Sequence, residues 1–105
     1  MISDDPVVLC WSDGKRRRLP PGYAHINSDV TIPISSSTAL LATHEEFVVS
    51  PESTRHHVAR INSKTIAASD HFVAAKSDTF ICYSEGGLIN TSSLVAPSIP
   101  PLAGL

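Results

Sequence analysis

The apolar positions of this chain fall into short runs separated by polar turns, with a single longer segment of helical period. Val7-Val8-Leu9-Cys10-Trp11 is a continuous apolar run of strand length, the pattern of a strand covered on both faces. It follows directly on Ile2-Ser3-Asp4-Asp5-Pro6, a polar turn closed by proline. A strand entered so early suggests either a very compact protein or the trailing part of a longer ancestor. Asp13-Gly14 permits a reversal because glycine reaches positive φ without steric cost, and Arg16-Arg17-Arg18-Leu19 is the expected return arm. Pro20-Pro21-Gly22 then removes two amide donors in succession and ends regular pairing, so a loop follows as far as Asn27.

Asp29-Val30-Thr31-Ile32-Pro33-Ile34 is β-branched and alternating, which places Val30, Ile32 and Ile34 on one face of a strand. Pro33 falls on the other face and cannot donate to a ladder, which argues for an edge or a strand end. After the Ser35-Ser36-Ser37 turn, Thr38 to Thr43 reads as another apolar strand and Glu45 to Val49 as a short arm. Ser50-Pro51-Glu52 carries helix-start signals: a hydroxyl residue, proline where its missing amide costs nothing, and an acid in the first turn. The spacing predicts a helix over Glu52 to Ser69 with Val58, Ile61, Thr65, Ala68 and Phe72 on one stripe and His57, Arg60 and Lys64 on another face. Phe72 to Ala75 is expected to return as a strand, a continued helix being the rival. Thr79 to Tyr83 reads as a strand ended by Gly86-Gly87.

These elements predict an α+β fold: a small, mainly antiparallel sheet of four or five strands with one long amphipathic helix packed on one face. Residues 1–90 form the expected compact domain. Residues 91–105, rich in Ser, Pro and Ala, read as a flexible tail.

Length limits the chain to one small domain, since 105 residues support a single modest core. Its charged fraction of 17% is below the usual value of about 25%, so it has few solvated faces to spare. A formal net charge of -2 gives no global attraction for nucleic acid or an anionic membrane. Cys10 and Cys82 sit among apolar neighbours and are expected to be free buried thiols. The chain shows no export signal and no apolar run of bilayer length, and the expectation is a cytoplasmic protein.

Candidate chemistry is sparse. Asp4 and Asp5 are hard oxygen donors that suit a cation or acid–base work, but neighbours in an extended segment point opposite ways, and turn chemistry explains both. Five histidines cluster in part with acids, at His44-Glu45-Glu46 and His56-His57, without a recognised ligand spacing. No nucleophile elbow, P-loop or dinucleotide fingerprint is present, and no cofactor is expected. Lys15-Arg16-Arg17-Arg18 holds half of the basic residues in one run. Adjacent guanidinium groups match oxyanions, so this run is a candidate binding surface, although such runs are more often solvated loops.

The order of motifs is itself informative. Ser3-Asp4-Asp5-Pro6-Val7-Val8-Leu9, Ile32-Pro33-Ile34-Ser35 leading to Ala39-Leu40-Leu41, and Val58-Ala59-Arg60-Ile61-Asn62 running into Ala68 and Phe72-Val73 together resemble the C-terminal half of an uncharacterised bacterial family, domain of unknown function 4238. The likeness spans residues 2–76. It departs from the family pattern at Ile34 and Ser36, where that family tends to have Leu and Pro, and the family's N-terminal part has no counterpart here. The resemblance implies positions of interest at Ser3, Asp4, Asp5 and Asn62, and it implies no known reaction.

The resulting expectation is a non-enzymatic macromolecule-binding or inhibitor-type module, of a kind often carried by mobile elements, with a protein as partner. Nucleic acid is disfavoured, a membrane is not expected, and a homodimer is plausible for a small sheet with exposed edges. The alternative is a metal-dependent hydrolase or nuclease fragment using Asp4 or Asp5 with a histidine such as His44 or His71.

Overall fold

Four antiparallel ladders in three small sheets, and one helix, are found in the computed structural model, which describes residues 1–12, 21, 22, 26–35, 38–44 and 50–100. In order they are β1 (Ile2–Ser3), β2 (Val8–Trp11), β3 (Ser28–Pro33), β4 (Ala39–Thr43), α1 (Pro51–Ala68), β5 (Val73–Ala74), β6 (Phe80–Ser84) and β7 (Gly87–Thr91). The fold is α+β. Its seven described strands are divided among a three-stranded sheet β2-β3-β4 and two pairs, β1-β5 and β6-β7, where the pattern suggested four or five strands in one sheet.

The helix begins where its start signals stand, with the Thr54 amide donating to the Ser50 carbonyl at 2.9 Å. Its last turn closes through the Ser69 amide on the carbonyls of Thr65 and Ile66. The chain then turns and pairs β5 with the opening strand, Ile2 opposite Ala74 and Ser3 opposite Val73. Phe72 to Ala75 therefore returns as extended chain and not as helix. The β6-β7 hairpin turns at Glu85-Gly86, and Gly87 sits at φ 103°, a region where a Cβ is penalised. The glycines therefore join two strands where the sequence pattern marked only an end. Residues 88–91 belong to β7. Beyond it the Ser98 amide donates to the Tyr83 carbonyl at 3.2 Å, so the segment composition marks as tail runs back along β6.

The polarity of the interior departs most from expectation. In β3 the buried residues are Ser28, Asp29 and Thr31, while Ile32 and Ile34 are exposed. The α1 stripe is likewise rotated: Ala59, Arg60, Asn62, Ser63, Lys64 and Thr65 are buried, Val58 is exposed, and Phe72 lies past the helix end at 57% exposure. In the strand over Val8 to Trp11, Val8 is buried and Leu9, Cys10 and Trp11 are half-buried, so both sides are partly covered. One cause accounts for these shifts. The helix directs two cations at the three-stranded sheet, β3 meets them with its carboxylate, and period-two alternation then turns Val30 and Ile32 outward.

Cys10 and Cys82 are both free thiols, the second fully buried. No described helix is long and apolar enough to cross a membrane. The expected arms at Arg16 to Leu19 and Glu45 to Val49 lie outside the described residues.

Candidate functional site

Arg60 and Lys64 are one helical turn apart, so both side chains leave α1 in the same direction. Between them lies Asp29. Its Oδ1 accepts from Lys64 Nζ at 2.5 Å and its Oδ2 from Arg60 Nη2 at 3.2 Å, and all three side chains are at most 2% exposed. Cys10, opposite Asp29 in the β2-β3 register, adds a thiol donor to Oδ1 at 3.0 Å. Arg60 Nη2 also donates to the Ser12 carbonyl at 2.6 Å, and Nη1 donates to the Pro100 carbonyl. One carboxylate thus serves two cations among the described residues, and the Ser12 and Pro100 carbonyls take further guanidinium donors, while the buried Arg60 Nε has no hydrogen-bond partner.

This cluster ties β2, β3, α1 and the C-terminal segment together. It does not present a nucleophile. Burial pushes the Cys10 thiol up to about 12, Lys64 pulling against that shift and Asp29 adding to it, and a thiol held neutral is a poor nucleophile and metal ligand. Removing one member of such a cluster leaves a charge without compensation in a poorly solvated place.

The helix holds the hairpin by a second set of polar contacts. Asn62 Nδ2 donates to the Ile81 carbonyl at 2.9 Å, and Ser63 Oγ accepts the Tyr83 amide at 2.7 Å while donating to the Ala59 carbonyl. His56 Nδ1 is hydrogen-bonded to the Tyr83 hydroxyl, with the two rings stacked at a centroid distance of 6.0 Å. Burial raises the Tyr83 phenol above its ordinary value, and Arg60 opposes the shift.

The sequence-derived positions separate in space. Asp4 accepts from the amides of Asp70 and Phe72 on Oδ1, and from the amide and Nδ1 of His71 on Oδ2, at 2.9 to 3.4 Å. Desolvation raises this carboxyl, but the bonds from His71 and from the backbone outweigh it and hold it below its ordinary value. Ser3 Oγ accepts the Asp5 amide at 3.1 Å, the local turn bond expected before a proline. Asp5 is exposed. Asn62 lies at β6, apart from all three. Asp4 and His71 do meet, as the catalytic alternative requires, but among the described residues His71 is the only histidine bonded to Asp4 and no group of three or more potential metal ligands occurs. Lys15, Arg16, Arg17 and Arg18 lie outside the described residues.

Two apolar surfaces remain. The β2-β3-β4 register sets Leu9 beside Val30 and Ile32 beside Leu40, with Val30 beside Ala42. Cross-strand partners share a face, so Leu9, Val30, Ile32, Leu40 and Ala42 form the side of the sheet turned away from Asp29 and α1. Leu40 is 57% exposed and Ile32 36%. The second surface comprises three shallow grooves of about 200, 390 and 340 Å³ that meet at Met1. Val58 and Phe80 each line grooves there, and Phe72 lines one.

Compared with models of known families, with curated proteins and with solved structures, the chain matches none of them.

The Asp29 cluster went unrecognised in the sequence. Its signals were an aspartate inside an otherwise β-branched strand, where no turn needs it, and an Arg60-x-x-x-Lys64 pair at one-turn spacing.

Proposed function

We propose that this chain is a non-enzymatic protein-binding module, of the inhibitor type and cytoplasmic, and that its contact surface is the outer face of the β2-β3-β4 sheet. The family resemblance belongs to the same proposal: of Ser3, Asp4, Asp5 and Asn62, Asp4 and Asn62 serve as structural stitches and Ser3 as a local turn bond to Asp5. One observation carries the reading. An antiparallel sheet with one solvated side normally turns its apolar side to the core, whereas here Asp29 and Thr31 face inward and Ile32 and Leu40 face out. Contiguous exposed apolar surface of this kind marks interaction sites on soluble proteins.

The proposal is tested by selecting binding peptides from a displayed random library against the folded chain. Leu40→Lys and Ile32→Lys each weaken the selected peptides about tenfold or more, while Phe72→Lys, at the Met1 grooves, leaves them unchanged. Binding that survives both sheet substitutions refutes the surface.

The catalytic alternative has the Asp4–His71 contact at 3.1 Å in its favour. Against it, both Asp4 oxygens already accept backbone amides. A rise in melting temperature with Mg²⁺, Mn²⁺ or Zn²⁺ that disappears in Asp4→Asn would favour the metal reading.

A further inference from the structure

We infer that the segment over residues 94–100 is a displaceable strap seated in a peptide groove beside β6, and that the ligand which replaces it is an extended apolar peptide ending in a free carboxylate at Arg60. The groove lies on the α1 side of the chain, whereas the sheet face proposed above is turned away from α1, so the two sites are independent.

The segment rests along β6 in the manner of a bound peptide. Leu94, Ala96 and Ser98 are exposed while Val95, Pro97 and Ile99 are half-buried, the period of an extended chain lying on a surface. It is weakly held. Among the described residues two hydrogen bonds fix it, from the Ser98 amide to the Tyr83 carbonyl at 3.2 Å and from Arg60 Nη1 to the Pro100 carbonyl. The edge of β6 offers it little more, because Asn62 already takes the Ile81 carbonyl and Ser63 the Tyr83 amide, and Pro97 and Pro100 have no amide to give. Few bonds and no fully buried side chain put a segment at the low end of local stability.

Charge decides what replaces it. Among the described residues Arg60 and Lys64 share the one carboxylate of Asp29, so the cluster carries a positive charge in excess, and the strap brings it only a neutral carbonyl. Two buried polar groups here have no hydrogen-bond partner: Arg60 Nε, and the hydroxyl of Ser12, whose carbonyl accepts from Arg60 Nη2 at 2.6 Å. A carboxylate supplies the missing negative charge and a second oxygen, and a guanidinium binds such planar oxyanions through two bonds at once. A chain end is the carboxylate that arrives with an extended backbone behind it, a recurring mode of peptide capture.

Fluorescence polarisation tests the inference, with a labelled peptide of the sequence Leu94 to Pro100 titrated by the full chain, once as the free acid and once as the C-terminal amide. The acid saturates below about 1 mM and binds about tenfold or more tightly than the amide. Ser98→Pro deletes the strap's bond to Tyr83 and leaves the groove intact, so it tightens the acid about threefold or more. Leu40→Lys, on the outer sheet face, leaves the affinity unchanged. An acid that does not saturate, or an amide that binds equally well, overturns the inference. So does a Ser98→Pro chain of wild-type affinity, because the peptide then rests elsewhere, and so does loss of binding in Leu40→Lys, which would put it on the sheet face. Library-selected peptides that ignore Leu40 and Ile32 remove the sheet-face reading alone.

Discussion

Asp29→Asn is the most informative single substitution, because it keeps volume and removes the only carboxylate bonded to Arg60 and Lys64 among the described residues. Two cations then remain in a place nearly closed to water. Breaking a buried ion pair from one side costs about 3–5 kcal/mol. That is a large fraction of the 5–15 kcal/mol expected for a small domain, and about 3 kcal/mol lowers Tm by 12–24 °C at this size. The charge count also fixes an order within the cluster. Lys64→Met leaves a neutral Arg60–Asp29 pair and should cost least, about 1–2 kcal/mol. Arg60→Met leaves a neutral Lys64–Asp29 pair but strips donors from the Ser12 and Pro100 carbonyls, so it falls between the two. Urea unfolding followed by circular dichroism measures all three, with the m-value checking that the unfolded state is unchanged. If Lys64→Met destabilises as much as Asp29→Asn, the argument from uncompensated charge is wrong.

The Cys10 thiol, held neutral up to about 12 against an ordinary 9.0, should react with iodoacetamide far more slowly in the native than in the urea-unfolded chain at pH 8, as read by mass spectrometry. Its pKa is raised on folding, so its contribution to stability is complete below pH 9 and is lost as pH climbs toward 12; a flat stability profile over that range contradicts the assignment. Asp4 shows the opposite sign. Its folded pKa is depressed, so its contribution is present above the ordinary carboxylate range and disappears as pH falls through the folded value. Asp4→Ala should also quicken hydrogen exchange at the amides of Asp70, His71 and Phe72, and unchanged exchange there would dismiss the clamp. Ser63→Ala leaves the buried Tyr83 amide without its acceptor and should cost about 1–3 kcal/mol in urea unfolding.

Much of the secondary structure was legible in the sequence because it depends on local chemistry. The apolar run at Val7 to Trp11 and the helix signals over Glu52 to Ser69 each act within a few residues, and β2 (Val8–Trp11) and α1 (Pro51–Ala68) stand within a residue of where the pattern puts them. What was not legible is which side of each element faces inward. Alternation says only that Val30 and Ile32 share a face. It takes Arg60 and Lys64, some thirty residues away, to decide that the Asp29 face is the buried one. Hydrophobic pattern favours the other orientation, so the inversion could be found only by asking why an aspartate interrupts a strand. The β7 strand was missed for a different reason: Gly86-Gly87 reads equally as a stop or as a hairpin corner, and only pairing with β6 distinguishes them. Of the positions singled out in the sequence, Asp4 binds the 70–72 loop, Asn62 binds β6, Ser3 bonds only locally to Asp5, and Asp5 is exposed, so they do not form one constellation.

The cluster and the bare face are one feature seen from two sides. In a strand of period two, the choice that buries Asp29 leaves Val30 half-buried and Ile32 exposed, and a one-residue slip of β3 would reverse both faces together. A slipped strand would gain apolar burial of about 1.5–3 kcal/mol for each fully covered side chain yet leave Arg60 and Lys64 buried without an anion, which costs as much or more. The ionic cluster therefore sets the register against the pull of the hydrophobic effect. This is a use of buried charge better explained by specificity than by stability, because a well-packed apolar interior would hold a sheet at least as firmly. With the register fixed in this sense, the apolar residues of β3 and β4 are held on the outside in a rigid antiparallel frame. Covering them, as a partner on the proposed contact surface would, recovers part of the burial that the fold gave up.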